Sequence, residues 1–197
     1  MARSLPLRPD VDNPTDPAAY SYLLGLNGHL VTSARVPVLR IACAASYPDL
    51  VEACAQSMLA VLATRVQRIQ KVGCVSVESS GAHWPCLLPQ HGPGRKHERP
   101  IVLAGWQREI VTAHPGDLLR GLFRSDGARF GNRVRVRGKD YVHPRYMLSN
   151  KSTDIMGLCQ WALDLLGIAW RMNRPDSLSV ARRDAVAALD RHVGPKS

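Results

Sequence analysis

The chain has 197 residues, 45% of them hydrophobic and 21% charged, a globular composition that excludes a disordered or fibrous chain. Its formal net charge is +10 and its sequence pI about 9.9, so an anionic partner is expected. Lys71, Lys96, Lys139, Lys151 and Lys196 are the lysines, and the other basic residues are arginines. The planar fork of arginine suits phosphates and guanine edges better than a loose membrane patch.

Residues 1–17 hold four prolines and no apolar periodicity, and read as a flexible leader. A helix is predicted from Ala18 to the turn signal Asn27-Gly28, followed by strands over 30–32 and 36–43. Pro48-Asp49 opens a second helix that carries Leu50, Val51, Cys54, Met58, Leu59 and Leu62 at helical spacing. Residues 73–114 differ in texture, with Trp84, Trp106, several prolines and four histidines, and read as a connector with one short strand at 74–78. The earlier order then returns: a helix over 117–123, strands over 132–137 and 141–149, and a helix opened by Ser152-Thr153-Asp154. A last strand at 177–181 and a closing helix at 182–192 complete the chain.

The two stretches align at a constant offset of 105 through their strands and closing helices. Arg40 matches Arg145, Asp49 matches Asp154, Leu50 matches Ile155, Cys54 matches Cys159 and Met58 matches Leu163. A unit of 50–60 residues is too small to be comfortable alone, so two copies are expected to share one core. The domains expected are a leader at 1–17, a first repeat at 18–72, a connector at 73–114, and a second repeat with a C-terminal helix at 115–197. The fold class expected is α+β, with antiparallel sheets in two pseudo-symmetric repeats.

Charge is concentrated in the second repeat. Nine basic residues lie between Arg120 and Lys151, opposed only by Asp126 and Asp140. In the segment Asn132-Arg133-Val134-Arg135-Val136-Arg137 a strand would put three arginines on one face and two valines on the other. The expectation is that the valines meet the core and the arginines meet DNA, together with Arg124, Arg129, Lys139, Arg145 and Arg40. A charged edge strand guarding against aggregation is the alternative.

The stretch Leu119-Arg120-Gly121-Leu122-Phe123-Arg124-Ser125-Asp126-Gly127 resembles the LAGLIDADG motif of homing endonucleases. The basic strands after it, the helix entry at Ser152 and Leu165-Leu166-Gly167-Ile168 strengthen the likeness. The whole text, including His83-Trp84-Pro85-Cys86 and His91-Gly92-Pro93-Gly94, is similar to bacterial LAGLIDADG-like proteins often labelled transcriptional regulators. The resemblance implies two motif helices packed through Gly25 and Gly121, β-saddles on double-stranded DNA, and a monomer with internal pseudo-twofold symmetry. It also implies a Mg²⁺ ligand at Asp126, with Asn150 and Lys151 positioning water. The first copy departs from the pattern. Three residues are missing after its glycine, and Asn27 stands where Asp126 stands. Ala45 and Ser46 replace the polar pair. The expectation is a cytoplasmic, nucleoid-associated DNA-binding protein with impaired or absent cleavage and a regulatory role. An active Mg²⁺-dependent endonuclease or nickase, and a basic protein-interaction module, are the alternatives. Cys74, His83, Cys86 and His91 form a candidate Zn²⁺ set without standard finger spacing.

Overall fold

The computed structural model describes residues 14–92 and 95–194. The leader expected at 1–17 lies mostly outside them, and its last residue already opens a helix. Helix α1 runs Pro17–Leu26, with Pro17 in its first turn and the Asp16 carboxylate accepting from the Ala19 N–H at 2.9 Å. Asn27 ends it in the left-handed conformation, φ 53°. Every residue from Tyr20 to Leu26 is buried, so α1 is apolar all round and runs through the middle of the molecule.

Strands β1 (His29–Val31) and β2 (Val38–Ala44) follow, then α2 (Pro48–Val61), β3 (Gln67–Lys71) and β4 (Cys74–Ser80). They form one antiparallel sheet of order β1-β2-β4-β3. After α3 (Trp84–Leu87) and α4 (Gly105–Ala113), the series repeats as α5 (Pro115–Ser125), β5 (Gly127–Val136), β6 (Lys139–Ser149), α6 (Thr153–Leu165), β7 (Arg171–Arg174) and β8 (Ser177–Val180). The second sheet has the matching order β5-β6-β8-β7, and α7 (Arg183–Val193) closes the chain. The strand expected at 74–78 within the connector is therefore β4, an inner strand of the first sheet. Glycine in the φ > 0 turn at Gly73 brings it back against β3.

The offset of 105 is visible in space. Leu50, Cys54 and Met58 of α2 are buried, as are Ile155, Cys159 and Leu163 of α6. The Ala45 N–H bonds the Gly73 carbonyl at 3.2 Å, and the Asn150 N–H bonds the Asp176 carbonyl at 3.0 Å. Each is the first residue beyond the inner strand of its sheet. The two halves meet where α1 crosses α5. A Cβ on Gly25 would lie 2.2 Å from the Leu118 carbonyl oxygen, and one on Gly121 would lie 2.3 Å from that of Tyr22. Each glycine thus faces the carbonyl three residues before the other, the reciprocity of a local twofold.

The connector is tied down by buried polar groups. The Gln107 amide donates to the Tyr20 hydroxyl at 2.7 Å and to the Gln90 side chain at 2.9 Å, and its oxygen accepts from the Ala104 N–H at 2.9 Å. The Tyr20 hydroxyl in turn donates to the Leu87 carbonyl. Gln107→Leu would strip partners from groups that water cannot reach. It is expected to cost about 2–3 kcal/mol, read as a lower urea midpoint at unchanged slope.

Candidate nucleic-acid interface

Helices α1 and α5 both end at one cleft of about 320 Å³, lined by Asn27, His29, Arg40, Tyr47, Arg124 and Asp126 among others. The helices are unequal. Helix α1 ends two residues after Gly25 at its cap Asn27, whereas α5 ends five residues after Gly121 at its cap Asp126. The difference of three residues is nearly one turn of helix. Asp126 is exposed, and one of its oxygens accepts from the Asn150 amide at 2.8 Å. The Asn150 carbonyl oxygen accepts from the Ser152 N–H at 2.9 Å, which fixes the orientation of the amide. Lys151 is exposed at the next position. The first half places Asn27 and Ala45 where the second places Asp126 and Asn150, so it supplies no carboxylate at those positions.

This donor set does not fit a pair of divalent ions. Such ions want several oxygen ligands with anionic character, and the helix ends supply one carboxylate, already hydrogen-bonded to an amide. Among the described residues no three His, Cys, Asp or Glu side chains are grouped to hold a metal ion. The four residues of the candidate zinc set do not form such a group either. Cys74 opens β4, a strand of 7 residues and so about 20 Å long, and His83 lies three residues past its other end. His91 Nε2 is 2.8 Å from the Gly28 carbonyl oxygen, and Cys86 is exposed on α3.

Cross-strand register decides which residues share a face. In the first sheet Ile41 pairs with Val77 on the helix-covered side, and Arg40 pairs with Glu78 on the open side. His29 and Lys71 also face the open side, by their pairing with Arg40 and Cys74. In the second sheet Leu148 and Tyr146 are buried against the helices. Arg145, His143, Tyr141 and Lys139 therefore alternate onto the open side, joined across strands by Phe130, Asn132 and Val134. Arg171 pairs with Ser179 and Arg174 with Ser177, which places both arginines on that open side too.

The expected arginine ladder faces the other way. Arg129 pairs with Tyr146 on the helix-covered side, where it is held by Asp190 of α7. Its Nε and Nη2 donate to the two carboxylate oxygens at 2.7 and 2.9 Å, and the Tyr146 hydroxyl adds a bond of 2.6 Å. The Arg129 hydrogen bond holds the Asp190 carboxyl below its usual range. Arg129 thus clamps a helix to a sheet. Arg133 and Arg135 share its face, exposed where the β5–β6 ribbon runs on past the helices, with Arg135 3.8 Å from Asp140. Arg137 is not in a strand. It and Gly138 form a two-residue hairpin turn, both with φ > 0. Val134, expected in the core, does not reach it and is 38% exposed on the open side.

The open faces differ in charge as a result. In the strands of the second sheet, Lys139, Arg145, Arg171 and Arg174 face outward and no carboxylate joins them. Sequence reading missed Arg171 and Arg174. Their strand is a short edge of four residues with a register shift, too brief to show alternation. It also missed Glu78, the one carboxylate on the open face of the first sheet.

No family model and no curated protein matches the sequence. Solved structures do match the fold. The meganuclease I-SmaMI bound to uncleavable DNA aligns at TM-score 0.59 and 10% identity, over 91% of this chain and 84% of that one. I-DmoI in complex with DNA and Mn aligns at 0.58 and 14%, over 91% and 98%. The I-SmaMI LAGLIDADG homing endonuclease bound to cleaved DNA aligns at 0.54 and 8%, over 91% and 83%. With its two four-stranded antiparallel sheets and glycine-bearing helix crossing, the chain has the two-repeat fold of the LAGLIDADG homing endonucleases.

Proposed function

We propose that this protein binds double-stranded DNA on an open sheet face and does not cut both strands. The observation that carries this reading is the open face of the second sheet, where, among the described strand residues, four cations stand without a carboxylate on the same face. Arginine forks there suit phosphate oxygens, and a two-stranded ribbon fits the major groove. The fold supports it by analogy with the DNA-bound endonucleases that share it. The lack of a carboxylate at Asn27 and Ala45 argues against a matched pair of cleavage centres. Binding without cleavage is what a regulator of transcription needs, and a single chain with two halves can act as a monomer. No described helix is long and apolar enough to cross a membrane.

Fluorescence anisotropy on a labelled mixed-sequence duplex tests the reading. Affinity should fall steeply as salt rises, because each phosphate contact releases about one counterion. Flat salt dependence would favour a protein partner instead. The Asp126–Asn150 pair keeps a second reading alive, that of a nuclease acting on one strand. Supercoiled plasmid incubated with protein and Mg²⁺ is expected to stay intact. Nicking that vanishes in Asp126→Asn would establish the nickase and overturn binding without cleavage.

A further inference from the structure

Resting on the DNA-binding reading above, we infer that the duplex is held asymmetrically, by the second sheet, while Glu78 keeps the open face of the first sheet out of phosphate contact. Two independent features of the first sheet point there.

The first is charge. Glu78 accepts from Arg40 Nε at 2.7 Å and Nη2 at 3.2 Å, and from the Ser76 hydroxyl at 2.7 Å, and Lys71 Nζ lies 3.8 Å away. One carboxylate therefore occupies both strand cations on that face. Its side chain is only 11% exposed, so the pair is shielded from solvent screening on one side. Burial raises the Glu78 pKa, but hydrogen bonds from Arg40 and Ser76 and the charges of Arg40 and Lys71 outweigh it, leaving the carboxyl ionised below its usual range. A phosphate approaching Arg40 would meet a fixed anion behind it and would have to displace a two-pronged pair. In the second sheet the position matching Glu78 is Ala181, just past the end of β8, and Arg145, which matches Arg40, has no such strand neighbour.

The second feature is reach. The β5–β6 ribbon has arms of 10 and 11 residues, about 33 Å, close to one turn of duplex. The matching β1–β2 ribbon has an arm of 3 residues, about 10 Å. It cannot lie along a groove as its counterpart can.

The test is a salt series of anisotropy titrations on a mixed-sequence 24-base-pair duplex. Glu78→Gln keeps the shape and the Ser76 bond while removing the anion. It is expected to raise affinity about tenfold at low salt and to steepen the salt slope by about two ions, as Arg40 and Lys71 become available. Arg40→Ala in the native background is expected to change affinity less than twofold, and in the Glu78→Gln background to cancel most of the gain. The Arg40→Ala arm stands even where Glu78→Gln weakens folding, which a thermal melt would show. Unchanged affinity in a folded Glu78→Gln protein, or Arg40→Ala costing as much as Arg145→Ala, would overturn the inference and leave DNA binding standing. Failure of the native protein to bind the duplex at low salt would instead remove the DNA-binding reading, and this inference with it.

Discussion

Alanine at Gly25 or at Gly121 is expected to destabilise the protein by about 3 kcal/mol or more, a fall of roughly 6–12 °C in melting temperature. The added methyl meets backbone, not side chain. At Gly25 it would lie 2.2 Å from the Leu118 carbonyl oxygen and 2.9 Å from the Gly121 Cα, and at Gly121 2.3 Å from the Tyr22 carbonyl oxygen. No rotamer relieves such a contact, so the helices must part. Parting them opens the core around Tyr22, Leu118 and Leu122, all at most 2% exposed. The double variant should cost less than the sum of the two, because the first methyl already separates the helices. Gly157→Ala makes the opposite control. It lies inside α6, a Cβ there meets nothing within 4 Å, and relief of helix propensity should add about 0.5–1 kcal/mol. A Gly25→Ala protein that melts within two degrees of the native one, in a scan with roughly that resolution, would show the crossing to be loose.

The helix crossing was legible because a glycine in an apolar helix, repeated in a second copy, has few other reasons to exist. The unequal ends of the two helices were legible as spacing alone: two residues from Gly25 to Asn27, five from Gly121 to Asp126. The cap at Ser152 was carried by residue type and position. Strand β3 was not legible. All five of its residues are exposed, so Gln-Arg-Ile-Gln-Lys shows no alternation for burial to imprint. Strand β4 was seen but given to the wrong unit, because sheet membership depends on long-range pairing that local texture does not encode.

The facing of the arginine strand failed for a related reason. Alternation tells which residues share a face, and it does so correctly for Arg133 and Arg135. It does not tell which face the helices cover. Valine suggested the core, yet at that end of the ribbon neither side is packed, and Val134 and Val142 are both exposed. The clue that would have settled it is the turn at Arg137-Gly138. Pairing outward from that turn sets Arg129 opposite Tyr146, and Tyr146 is an unmistakable core residue two places before Leu148.

That correction yields a result that separates the two faces. The triple variant Arg145→Ala, Arg171→Ala, Arg174→Ala should lose about 100-fold or more in duplex affinity near 0.1 M salt, with a salt slope shallower by about three ions. The double variant Arg133→Ala, Arg135→Ala removes nearly as much charge and should cost less than about threefold, with a slope reduced by less than one ion. Net charge alone would make the two variants behave in proportion to the charge removed. Geometry makes them behave differently, because Arg145, Arg171 and Arg174 share the open side of the sheet with Ser177 and Ser179, while Arg133 and Arg135 share the side of Arg129 and its Asp190 clamp. Neither set touches the buried core, so both proteins should melt close to the native temperature. A double variant that binds as poorly as the triple one would mean that the ribbon meets DNA with its other side, and the open-face reading would fall with that titration.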